Sequence, residues 1–156
     1  MIVPAPARVG LSPGEWGLLV RFWSGAALVR VLKYVTPLRV LVALARTGVR
    51  VCPSTERVAQ LTEAGASVRL GRWRVPGNCL ERSLVLYRML IASGARPHLV
   101  IGMKPGYTHA ESARAPGHVW ITLGGRVVGA REDDEPGFVP VVAFDAAGQR
   151  YQPCED

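Results

Sequence analysis

The feature that most restricts how this chain can fold is a change of apolar period along its length. Between Gly14 and Arg50, Trp16, Val20, Trp23, Ala27, Val31 and Tyr34 recur three or four residues apart, which is helical spacing. Beyond His98 the pattern alternates instead, and HLVIGM and GHVWITL each send every second side chain to one face. Helices first and antiparallel strands later specify an α+β fold rather than a βαβ alternation. The 156 residues are 49% apolar and 20% charged, enough for one packed core and too apolar for a disordered chain.

Local signals divide the pattern into elements. Ser12, Pro13 and Glu15 form a capping-box start for a first helix, which Pro37 interrupts. A second helix runs to about Thr47 and stops at Gly48. Arg21, Arg30, Lys33, Arg39 and Arg46 keep the apolar runs too short to span a bilayer, and they do not gather on one side as a membrane-surface helix requires. These helices are expected to pack on the core, with partner binding as the alternative. Ser54–Ala64 suits a short helix closed by Gly65. Arg69, Arg72 and Arg74 around Trp73 read as a basic loop or a docking surface for an acidic peptide. One Trp is no stacking platform, so nucleic acid is not an expected partner. Asn78–Ser93 reads as a helix ending at Gly94, and HLVIGM as a strand. A long loop then leads to a hairpin, GHVWITL and RVVGA joined by Gly124-Gly125, and PVVAFD suits an added edge strand. Residues 1–50 are thus a helical segment packing on a core of residues 51–156, within one compact domain.

The net charge of +7 favours anionic partners without choosing among them. Cys52, Cys79 and Cys154 are odd in number and include no CxxC pair, which argues against a disulfide framework and a zinc site. No metal or cofactor is expected. The opening MIVPAPARVG lacks a secretory pattern, so the expected compartment is the cytoplasm, where thiols stay reduced.

Cys79 is the leading chemical candidate. It follows Asn78, a favoured N-cap, with Glu81 at the N3 position to return the cap bond. Unpaired N–H groups and the positive dipole end at a helix start favour a thiolate over a thiol. Leu80, Leu84, Tyr87 and Ile91 form an apolar face that would hold this helix on a core. A buried structural cysteine is the alternative. His118 is the second candidate. Val119, Ile121 and Leu123 take one face of its strand, leaving His118, Trp120 and Thr122 to line a cleft. A helix-start cysteine facing a strand histidine is the arrangement of papain-like and transglutaminase-like catalysis. His98 and His109 read as solvated side chains.

The run Asn78-Cys79-Leu80-Glu81-Arg82-Ser83-Leu84-Val85-Leu86-Tyr87 resembles the Cys-Leu-x-Arg-Ser-Leu-x-Leu signature of lasso-peptide leader peptidases, the stand-alone transglutaminase-like B proteins of lasso-peptide gene clusters. The likeness continues through Leu99-Val100-Ile101-Gly102, through Gly117-His118-Val119-Trp120, which is similar to the family's Gly-His-Ala-Trp, and through Gly125-Arg126-Val127-Val128. It implies a transglutaminase/papain-like core and a cysteine peptidase that hydrolyses one amide bond between the leader and core of a ribosomally made precursor. Cys79 would be the nucleophile and His118 the acid and base. The implied partners are the leader peptide, a small leader-recognition protein and an ATP-dependent cyclase, with membrane association not expected. The family's orienting acid falls, without a gap, at Ala130. Glu132 shares strand parity with Ala130 if the strand continues, and could then approach the histidine after a small slip or bulge; otherwise Glu132, Asp133, Asp134 and Glu135 belong to a solvated turn. Ala130 also motivates the alternative of a catalytically impaired protein that binds precursor or partner.

Overall fold

A helix that is apolar on nearly all sides must be covered on nearly all sides, and Cys79–Ala92 is such a helix. The computed structural model describes residues 13–46, 54, 58, 69–70, 73–74, 78–106, 117–128 and 137–153. In chain order the elements are α1 (Pro13–Leu32), α2 (Leu38–Arg46), β1 (Arg69–Leu70), β2 (Trp73–Arg74), α3 (Cys79–Ala92), β3 (His98–Met103), β4 (Gly117–Leu123), β5 (Arg126–Val128), β6 (Val139–Phe144) and β7 (Arg150–Tyr151). α3 lies between α1 and α2 on one side and the sheet on the other. Its burial differs from the single face Leu80-Leu84-Tyr87-Ile91: Leu84 and Tyr87 are buried, Leu80 and Ile91 only partly, and Val85, Leu86, Met89 and Leu90 are buried as well, together with the polar Glu81 and Ser83. No helix among the described residues is long and apolar enough to cross a membrane.

α1 packs with a face about a quarter-turn round from the one its spacing suggests, and Trp23, at the edge of that stripe, is partly buried against the core. Leu19, Phe22 and Ala26 are buried, whereas Trp16, Val20 and Val31 are exposed and Tyr34 is 79% exposed. Both stripes are apolar, so hydrophobicity alone does not choose between them. The choice comes from charge. Arg30 and Lys33 continue the buried stripe by successive turns, and both reach Glu81 of α3. Arg30 Nε donates to Glu81 Oε2 at 3.2 Å and Lys33 Nζ donates to Oε1 at 2.7 Å. Rotating α1 to bury Trp16 and Val31 would strand a carboxylate that is 1% exposed.

Five strands form one antiparallel sheet in the order β5-β4-β3-β6-β7. The hairpin forms as its sequence suggests: Gly124 and Gly125, at φ +57° and +77°, make a two-residue turn whose left-handed backbone suits glycine. Two other expectations change, and one irregularity is new. PVVAFD becomes β6 inside the sheet, because the two-residue β7 covers part of its outer side. The β3–β6 register shifts between Ile101 and Gly102, where the partner is Pro140; a residue without an N–H marks a natural place for a bulge. Arg69–Leu70 and Trp73–Arg74 pair as a short antiparallel ribbon rather than a plain loop. The expected helix from Ser54 to Ala64 lies mostly outside the described residues.

Two side chains of α3 bolt it to the sheet. Ser83 Oγ donates to the Val119 carbonyl at 2.8 Å, and the Tyr87 hydroxyl donates to the Asp145 carbonyl. Burial pushes the Tyr87 hydroxyl up to about 12, despite the opposing charge of Arg46, so it stays a neutral donor. The Ser83 bond is buried, so Ser83→Ala leaves a carbonyl without that donor. It is expected to cost about 1–3 kcal/mol of stability, read as a lower urea midpoint at unchanged slope.

Candidate active site

Asn78 caps α3 from an extended backbone (φ −93°, ψ 174°), and its side chain accepts the Glu81 N–H at 3.1 Å. Half of the expected capping box is therefore present. The Glu81 carboxylate, expected to return the cap bond, is turned to α1 and its two cations. Burial raises this carboxyl, but hydrogen bonds from Lys33 and Arg30 and their charges outweigh burial and leave it below the ordinary carboxylate value. The hydrogen bond to Glu81 correspondingly holds the Lys33 ammonium above its ordinary value.

Cys79 is thereby the first residue of a helix anchored at its start. The cysteine is half-buried and packs at the margin of the core. The backbone N–H groups of a first turn have no intrahelical acceptor, so a negative sulfur or a developing oxyanion here meets unpaired donors.

The two bolts also set the direction of α3. Its Ser83 lies level with Val119, and Tyr87, one turn on, reaches Asp145 beside Phe144. Phe144 and Ile121 both pair with Leu99, so α3 and β4 run the same way. Cys79 is one turn before Ser83, about 6 Å along the axis, and His118 is the residue before Val119. Cys79 and His118 therefore lie toward the same end of α3 and β4 along their axes. Strand alternation gives Val119 and Ile121 to the core and turns His118 and Trp120 to the other face of β4.

On that face the His118 ring has aromatic neighbours on two sides. It stacks on Trp120 with centroids 5.9 Å apart and planes at 17°, and meets Phe138 at 5.1 Å and 34°. Lys104 Nζ lies 5.6 Å from the Phe138 centroid, and His118 Nε2 is buried. His98 opens β3 and contacts Tyr151 through Nδ1 and an edge-on ring. Glu132, Ala130, Asp133 and Asp134 lie outside the described residues, as do His109, Cys52 and Cys154. Among the described residues no group of three or more His, Cys, Asp or Glu side chains is placed to hold a metal.

Sequence reasoning passed over Phe138, Gly102 and the Arg30–Glu81–Lys33 cluster. Only Gly102 carried a visible signal, since glycine inside an apolar strand marks a close approach or a bulge. The other two depend on contacts between elements distant along the chain.

A helix with a first-turn cysteine, laid on a five-stranded antiparallel sheet whose inner strand carries a histidine, is an α+β arrangement that fits a transglutaminase-like domain. Comparison with protein families matches residues 24–143, more than half of the chain, to the transglutaminase-like superfamily, and the chain belongs to that superfamily. Cysteine hydrolases are common in it. No curated protein and no solved structure matches the chain.

Proposed function

We propose that this protein is a cysteine peptidase that separates the leader from the core of a ribosomally made precursor during lasso-peptide maturation. The observation that carries the proposal is Cys79 in the first turn of an Asn78-capped helix that runs alongside the His118 strand. Superfamily membership and the Cys-Leu-x-Arg-Ser-Leu run support it.

In this reading the imidazole and sulfur meet round the open end of β4, not across the core. The Cys79 thiolate attacks the scissile carbonyl, and the tetrahedral oxyanion forms against the Cys79 N–H. His118 protonates the leaving amine as the C–N bond breaks, giving a thioester. It then takes a proton from water, whose attack releases the carboxylic acid and the thiolate. Glu132, or a neighbouring acid, orients the imidazole. The leader arrives on a small recognition protein, in the cytoplasm and beside an ATP-dependent cyclase.

The test is to incubate protein, precursor peptide and recognition protein, and to weigh the products. Leader and core masses are expected with the wild type and not with Cys79→Ala. A precursor of unchanged mass in the wild-type reaction would overturn peptidase action and favour the binding protein that Ala130 suggests.

A further inference from the structure

We infer that Trp120, Phe138 and Gly102 are positioning residues for the His118 imidazole: two aromatic rings flank it, and a glycine leaves the space in which one of them lies. The inference rests on the proposed pairing of His118 with Cys79 and adds the means by which the ring is held.

A histidine on a strand turns about two side-chain bonds. In a catalytic triad an acid fixes both the ring plane and the tautomer. Here the plane has its own restraint. The near-parallel stack on Trp120 and the tilted contact with Phe138 fall within the centroid separations at which aromatic pairs attract. Swinging the imidazole out of plane gives up both contacts. An acid such as Glu132 then has only the tautomer to set.

The Trp120 ring keeps its position because Gly102 is a glycine. Gly102 is the β3 residue paired with His118 across the ladder, and Trp120 leans diagonally over it from two residues along β4. A Cβ at Gly102 would lie 2.6 Å from Trp120 Cη2, 2.8 Å from Cζ3 and 2.8 Å from the Val139 carbonyl oxygen. Neither backbone nor indole can yield that much without moving. Gly102 has no positive φ, so the requirement is space and not backbone conformation. The bulge that begins at Gly102 opposite Pro140 reinforces this. It shifts the pairing by one residue, so that Gly102 meets Pro140 and Met103 meets Val139, the residue after Phe138, and bulges re-aim side chains in this way beside active sites.

The experiment follows alkylation of Cys79 by iodoacetamide against pH, with the site read by mass spectrometry. At about pH 6 an ordinary thiol is almost wholly protonated and reacts slowly, whereas a thiolate paired with an imidazolium still reacts. His118→Ala defines the unpaired rate. Gly102→Ala and Trp120→Leu are expected to lower the rate at that pH by about tenfold or more, because misplacement by about 1 Å loses orders of magnitude. Trp120→Phe, which keeps a flat partner, should stay within about threefold of wild type. Leu41→Ala, which damages the core in α2, should lower thermal stability and leave the profile unchanged. Folded Gly102→Ala and Trp120→Leu proteins with wild-type profiles would overturn the inference. A wild-type rate no faster than His118→Ala would overturn the Cys79–His118 pairing itself, and this inference with it.

Discussion

Glu81→Gln is expected to cost this protein about 3 kcal/mol of stability, the lower end of the range for breaking a buried ion pair. The carboxylate is 1% exposed and faces two cations. The amide leaves both without a counter-charge. They differ in escape: the Arg30 side chain is 37% exposed and turns readily to water, whereas that of Lys33 is 16% exposed. Lys33→Met is therefore expected to cost more than Arg30→Met, and the cost of Glu81→Gln to arise mainly at Lys33. The pH dependence has a fixed sign. The folded Glu81 value is depressed, so its contribution is complete above the ordinary carboxylate value of 4.5 and disappears as pH falls through the folded value beneath it. The gap between wild type and Glu81→Gln should close on acidification through that window. For Lys33 the folded value is raised, so its contribution is complete below 10.5 and is lost as pH rises through the folded value. Urea unfolding at several pH values measures both, and equal stability of wild type and Glu81→Gln at neutral pH would refute the prediction.

The same cluster explains why an expensive arrangement suits this position. A buried ion pair replaced as a whole by apolar residues is often neutral or stabilising, so its value here is orientation. α1 has two apolar stripes, and only one places cations opposite Glu81. That choice settles which side of α1 covers the helix bearing Cys79, two residues from Glu81 in the same first turn.

Strand structure was legible because alternation is a strong local signal. HLVIGM and GHVWITL matched β3 and β4 to the residue, and the Gly124-Gly125 turn was specified by its own chemistry. The cap at Asn78 was legible for the same reason, since an N-cap acts within three residues. What failed was nonlocal. The buried face of α1 depends on a carboxylate about fifty residues away. The place of β6 inside the sheet depends on β7, whose two residues carry no periodicity. The role of Glu81 was misread because a local rule, the capping box, and a distant ion pair compete for one carboxylate, and two charged hydrogen bonds outweigh one cap bond. At the candidate site the chemistry-bearing residues were legible by type. The aromatic contacts around His118 were not, since Phe138 precedes β6, twenty residues on.

In the leader-cleavage assay, Cys79→Ala is expected to lower kcat/KM by roughly ten-thousand-fold or more, and His118→Ala by roughly a thousand-fold or more. No neighbouring group replaces the thiolate: Ser83, the hydroxyl one turn on, is buried and donates to Val119. Nor does amide cleavage proceed readily without the imidazole, because the amine would have to leave as an anion. The sharper expectation concerns the double variant. If Cys79 and His118 act in one step, removing either already disables that step, and the double variant should be no slower than Cys79→Ala alone. Two residues acting in independent steps would instead multiply their losses. Both single variants should unfold close to the wild-type midpoint, since neither residue belongs to the fully buried core. Multiplying losses would break the pairing on which the proposed mechanism depends, whereas saturation at the Cys79→Ala rate is what a thiolate and its imidazole partner require.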